Sequence, residues 1–198
     1  MSEPPARDQV LALVEKAIAN LNLRRHMLAS EAVMRALARR LGADADLWGL
    51  AGLAHDLDAE STGDDFARHG MQAAETLSGL GLPAEVVRAV AAHNPATGTR
   101  AEAPLEVSLI AADQVTGLIT AATLVRPDRS LLGVKVKSLR KRMRESAFAR
   151  GVDRASIERC AEVGVPLDEF LAIALEAMQG IATELGLAGD GVSRPATG

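Results

Sequence analysis

The stretch AGLAHDLDAE, residues 51–60, sets His55 and Asp56 side by side at the end of an otherwise apolar run. The chain has four histidines, and the other three, His26, His69 and His93, also fall on or beside segments of helical periodicity. Taken singly, an imidazole on a helix is more often a satisfied core residue or a surface residue than a ligand. Asp113 is harder to place. It stands inside VSLIAADQVTGLITAATLV, and an ionised carboxylate within an apolar helix costs several kcal/mol unless a partner or a cation neutralises it. Its neighbours one turn away are Leu109, Ile110, Thr116 and Gly117, so compensation has to come from another element. Imidazoles and carboxylates delivered from several helices suit a borderline transition metal better than calcium or magnesium, which take oxygen shells. A divalent cation would also supply the charge that makes the His55–Asp56 doublet tolerable in a core.

The elements that must position these groups are helical nearly throughout. Ala and Leu dominate, and apolar positions recur at three and four residues. The spacing predicts helices over about 7–20, 24–41, 45–57, 66–79, 84–93, 104–124, 136–149, 154–163 and 167–186. Gly42 ends the second of these, Asp44 caps the third, STGDD reads as a turn, Pro83 starts the fifth and VRPD stops the sixth. In the last helix Phe170, Leu171, Ala174, Leu175, Met178, Ile181 and Leu185 form a continuous apolar stripe, read as core.

Composition bounds the function. The chain has 198 residues, 48% of them hydrophobic, enough for one compact domain with a sizeable core. Its single cysteine, Cys160, and the lack of an apolar leader at the start point to a reducing cytoplasm. A net charge of −4, with aromatic residues limited to Trp48, Phe66, Phe148 and Phe170, argues against a nucleic-acid polymer as partner. The long apolar run around Asp113 and Gln114 is read as a buried helix and not a membrane span.

An isolated His, a His-Asp doublet and a later helical Asp, here in RRHMLASEAV, AGLAHDLD and LIAADQVTGL, resemble the signature of the HD-domain superfamily of metal-dependent phosphohydrolases. Two further histidines in ARHGMQAAE and AVAAHNPA extend the series, and the likeness covers roughly residues 21–125. The next segment, LVRPDRSLLGVKVKSLRKRMRESAFARGV, is similar to a bacterial branch of predicted HD hydrolases. The resemblance implies an all-α helical bundle with a metal-binding core at about 21–125; the absence of a linker or repeat adds a single domain over 1–187, with C-terminal helices at 134–187, and the composition of 188–198 reads as a flexible tail. It implies that His26, His55, Asp56 and Asp113 hold one metal, and that Asp56 bridges to a second held by His69 and His93. Iron or manganese is favoured, with zinc, cobalt and nickel also compatible. One departure stands out. Many relatives, the cyclic-dinucleotide phosphodiesterases among them, read His-Asp-Ile-Gly-Lys, whereas Ala59 takes the lysine position here.

Two metals sharing a carboxylate would generate a hydroxide nucleophile near neutral pH and polarise a phosphoryl group. The expected activity is therefore hydrolysis of a small phosphorylated molecule such as a nucleotide, by a monomer or homodimer acting on an anionic substrate. Asp56 and Asp58 are the catalytic candidates; Asp58 fits equally a proton acceptor, an orienting group or a helix-end carboxylate in water. Lys137, Arg140, Lys141 and Arg144 would form one basic stripe to clamp phosphate, unless they are simply a solvated face. Arg68 and Arg126 are further candidates, and Asn94 would bind substrate or cap the turn before Pro95. Two other functions use the same residue types: a mixed-valence di-iron oxygenase, and a non-catalytic module braced by metal.

Overall fold

Side chains meet the unpaired backbone donors at several helix starts and so fix where those helices begin. The computed structural model describes residues 5–189. It contains α1 (Arg7–Ala17), α2 (Leu21–Leu41), α3 (Ala45–Ala54), α4 (Ala59–Thr62), α5 (Met71–Gly79), α6 (Ala84–His93), α7 (Pro104–Leu124), α8 (Val136–Met143), α9 (Arg154–Glu158) and α10 (Leu167–Gly180). Short 3-10 turns lie at Pro95–Thr97, Leu131–Gly133 and Arg159–Val163, and no strand occurs among the described residues. Asn20 accepts from the amides of Asn22 and Leu23 to start α2, and Asp44 accepts from those of Asp46 and Leu47 to start α3. Gly42, at φ 69°, ends α2 in the left-handed conformation that glycine adopts at little cost.

Two 21-residue helices, α2 and α7, form the middle of the all-α bundle. Helices α3, α7 and α10 pack on α2, while α6, α8 and α9 pack on α7. Helix α7 is long and apolar enough to cross a membrane, yet most of it is buried by its neighbours. It starts on Pro104, and Glu106 reaches back to the amides of Glu102 and Ala103 while accepting from Arg88 Nε at 2.7 Å. The tightest crossing joins α2 and α3. A Cβ on Gly52 would lie 2.7 Å from the Ser30 carbonyl oxygen, so only glycine allows the two backbones to touch there. Nearby, Glu31 of α2 is buried with Arg7 Nε at 2.6 Å and Arg35 Nε at 3.0 Å, which answers its charge inside the bundle.

Several boundaries differ from those that periodicity implies, each for a long-range reason. Helix α5 begins at Met71 rather than 66, because residues 66–70 form turns in which the Gly70 amide is drawn to a carboxylate twelve residues away, described below. Helix α8 stops at Met143 rather than 149: Arg154 donates to the carbonyls of Glu145, Phe148, Ala149 and Val152 and folds that segment into turns. Helix α10 stops at Gly180 rather than 186, after which Leu185 and Leu187 turn back onto the core and Leu187 accepts from the amide of Leu131 at 2.8 Å. The short helix α4 occupies part of the segment expected to turn. Of the expected tail at 188–198, Ala188 pairs with Ser130 in an isolated bridge, and residues 190–198 lie outside the described residues.

The α2–α3 contact generates a stability test. Gly52→Ala has to push two buried backbones apart, and we expect a loss of about 1–3 kcal/mol, read as a melting temperature lower by several degrees. Gly79→Ala, with nothing near its Cβ position, should leave the melting temperature unchanged.

Candidate metal centre

Each of the four imidazoles is anchored through Nδ1, and each anchor dictates which nitrogen carries the proton. His55 caps the end of α3, and its Nδ1–H donates to the Gly52 carbonyl at 2.8 Å. His93 is the last residue of α6, and its Nδ1–H donates to the Val90 carbonyl at 2.6 Å. Both use carbonyls of a final helical turn, which lack partners within the helix. His26, on α2, faces Thr116 of α7 at 3.0 Å. The Thr116 hydroxyl donates its one hydrogen to the Asp113 carbonyl at 2.7 Å, so it accepts from His26 Nδ1–H. His69, in the turns before α5, donates Nδ1–H to Asp58 Oδ1 at 2.9 Å.

All four Nε2 atoms consequently turn inward. His26 Nε2 lies 3.2 Å from His55 Nε2, and His93 Nε2 lies 3.1 Å from His69 Nε2. Asp56, in the turn after α3, stands between the two pairs. Its Oδ2 is 3.7 Å from His26 Nε2 and 3.5 Å from His55 Nε2; its Oδ1 is 3.3 Å from His69 Nε2 and 3.5 Å from His93 Nε2. Asp113 adds an oxygen 3.0 Å from His26 Nε2 and 3.8 Å from His55 Nε2. Lone pairs this close repel unless something positive lies among them. Ligands about 2.1 Å from one cation are themselves about 3 Å apart, the spacing seen here. His26, His55 and Asp56 form one group able to hold a metal, and Asp56, His69 and His93 form another. The donor set fits divalent transition metals, with Asp56 common to both groups.

Electrostatics agree with that geometry. Burial favours the neutral acid at Asp56, but the facing imidazoles of His55, His69 and His93 outweigh it and hold the carboxyl well below its ordinary value. Asp113 is likewise depressed, burial being outweighed by His26 and His55. His55, fully buried, is pushed down by desolvation and more than restored by Asp56 and Asp113, so that its pKa is raised. His69 is raised to about 10 by its hydrogen bonds to Asp56 and Asp58.

Asp58 is 2% exposed and fully engaged. Besides His69, it accepts from the amides of Gly70 and Ala73, both at 2.8 Å, and so fixes the turns that carry His69 to the centre. Both of its oxygens are thus occupied within the chain, one by His69 and the other by the two amides. Gln114 and Thr116 were not singled out as site residues by sequence spacing. Gln114 donates to Asp113 Oδ2 at 2.8 Å and accepts from the amide of Asp153 at 2.8 Å, steadying the carboxylate from the start of α9. Only the folded pairing of α2 with α7 exposes the role of Thr116.

The structure does not bring the expected phosphate clamps to this centre. Lys137, Arg140, Lys141 and Arg144 line a separate surface groove with Asp168 and Glu145, where Arg140 pairs with Asp168 at 2.9 Å and Lys141 lies 3.7 Å from Glu145. The basic stripe is a solvated helix face whose charge is partly answered by its neighbours. Arg68 donates to Gln72 in a groove that none of the six converging residues lines. Arg126 pairs with Asp128 and donates to the Gly133 carbonyl. Asn94 donates to the carbonyls of Phe66 and His69 and accepts from the Ala96 amide, so it caps a turn and ties the His69 segment to α6. Two cavities do border the centre: one of about 560 Å³ beside His93 and Asp113, and one of about 500 Å³ beside His26.

A family model described as HD domain matches residues 23–124. No curated protein and no solved structure shows a significant match.

Two outcomes follow from the geometry. Imidazolium has to lose its proton to become a ligand, so metal uptake at pH 7 should release protons into weakly buffered solution. Affinity should weaken as pH falls and strengthen as pH rises toward the raised value of about 10 at His69. Thr116→Val removes the acceptor that orients His26 and should weaken metal binding by about 10–100-fold, measured by competition with a chelator.

Proposed function

The chain belongs to the HD-domain family, and from that premise we propose that it hydrolyses the phosphoester bond of a small phosphorylated molecule at a centre of one or two divalent metals. The observation that carries this reading is the placement of Asp56, with one carboxylate oxygen toward His26 and His55 and the other toward His69 and His93. Iron or manganese is the proposed occupant, on the strength of the mixed imidazole and carboxylate donors. Bound there, such cations supply a water acidic enough to attack near neutral pH and draw charge from the phosphoryl oxygens.

The chain's own residues do the holding. His26, His55 and Asp113 would hold a cation on one side of Asp56 and His69 and His93 on the other, one carboxylate oxygen of Asp56 facing each group. Asp58 acts as a positioning residue through His69, and Thr116 does so through His26. In the hydrolysis, the water oxygen bonds to phosphorus, the ester P–O bond breaks, and the proton given up by water ends on the released alcohol. A nucleotide, the finer expectation, is supported by the resemblance alone, whereas the donor chemistry supports the phosphoester as such.

The test uses full-length protein reconstituted with manganese or iron and screened against phosphomonoesters and nucleotides. Turnover that falls more than about a hundredfold in Asp56→Ala supports the proposal; equal rates in the two proteins reject it. Turnover under nitrogen with manganese excludes an oxygen-dependent reaction. Bound metal whose removal melts the fold, with no ester ever cleaved, would instead identify a braced, non-catalytic module.

A further inference from the structure

The cavity of about 500 Å³ beside His26 lies between α2 and α7 under the turn at residues 185–187. Asn22, Arg25, His26 and Ala29 line it from α2 at the i, i+3, i+4, i+7 spacing of one helix face. Gly117, Thr120, Ala121 and Leu124 line it from α7 at the same spacing, and the small residues among them open the space. One end therefore starts at the metal centre, and the volume suits a small organic ligand.

Arg25 sets this cavity apart. Its Nε is buried without a hydrogen-bond partner, and no carboxylate lies within ion-pair distance of it among the described residues. Arg159, on the wall toward the other cavity, is by contrast paired with Glu162 at 2.9 Å. The Arg25 guanidinium is pressed against the chain at Gly186, where a Cβ would lie 2.5 Å from Nη2 and 2.7 Å from Cζ. Gly186 sits at φ 68°, so the turn both requires glycine and uses its bareness to lie against the guanidinium. A pinned guanidinium that lines the cavity with no carboxylate to answer its charge, next to a metal-facing imidazole, fits the oxygens of a phosphate. The remaining wall is aliphatic: Leu185, Leu187 and Leu124, the last 52% exposed. None of the four aromatic residues lines it.

We infer that this cavity is the substrate pocket: Arg25 grips the phosphoryl group of a phosphomonoester whose alcohol is aliphatic and lies along the leucine wall. The inference rests on the hydrolase reading for the direction of the phosphate, and adds the substrate class and the residue that selects it.

The experiment is calorimetry on the manganese-loaded full-length protein with inorganic phosphate, ethyl, butyl and hexyl phosphate, and AMP. Affinity should rise by roughly two- to fourfold per methylene, with hexyl phosphate bound more tightly than AMP. Arg25→Met, which keeps the aliphatic stem, should weaken phosphate binding at least about tenfold with metal content and melting temperature unchanged. Ala121→Leu should abolish the chain-length dependence and leave the affinity for inorganic phosphate intact. Unchanged phosphate binding in Arg25→Met, an affinity flat with chain length, or tighter binding of AMP than of hexyl phosphate would overturn the inference. Arg25-dependent binding without turnover of any ester would refute the hydrolase and leave the pocket standing. Turnover lost in Asp56→Ala but untouched in Arg25→Met would do the reverse.

Discussion

Four imidazole lone pairs cannot share one small volume without a positive charge among them. That constraint organises the molecule. Each ring is locked by an acceptor at Nδ1: the Gly52 and Val90 carbonyls, the Thr116 hydroxyl and the Asp58 carboxylate. Each acceptor sits on a different stretch of chain, so the centre is correct only when α2, α3, α6 and α7 are all in place. The cost of holding Asp56 and Asp113 as anions away from water is offset by the same imidazoles that converge with them.

The bundle is built to that end. Gly52 is both the point where α3 meets the backbone of α2 and the carbonyl that orients His55, so one residue sets the helix distance and the ring angle. Helix ends are used economically: His55 and His93 each satisfy a carbonyl of a last turn while presenting the opposite nitrogen to the centre. Asp58 similarly organises a turn and aims His69 with one carboxylate.

Much of this was legible in the sequence, and the reason is physical. A helix such as α7 announces itself through local signals, with Pro104 at its start and a largely apolar run to Leu124. Asp113 and the His55–Asp56 doublet stood out because charged or ionisable groups in apolar helices need a stated compensation, and the family resemblance added His26, His69 and His93 to them. What stayed hidden depends on contacts far apart in sequence. The turns at 66–70 obey Asp58, the end of α8 obeys Arg154, and neither dependence leaves a trace in periodicity. The basic stripe misled for the complementary reason: helical spacing shows that Lys137, Arg140, Lys141 and Arg144 share a face, but not which way the face looks. Arg25 was invisible because its significance lies in the absence of a partner, which only the folded chain defines.

All six converging residues fall between positions 26 and 113, yet their alignment is held from outside that interval. Asp113 is steadied through Gln114 by the backbone at residue 153, and buried Glu31 on the helix of His26 is answered by Arg7. The coordinating atoms and the outriggers that aim them therefore occupy different lengths of chain. A fragment trimmed to the ligands would retain every donor and lose the struts that make them converge, so transplanting this centre into another scaffold means carrying its periphery along.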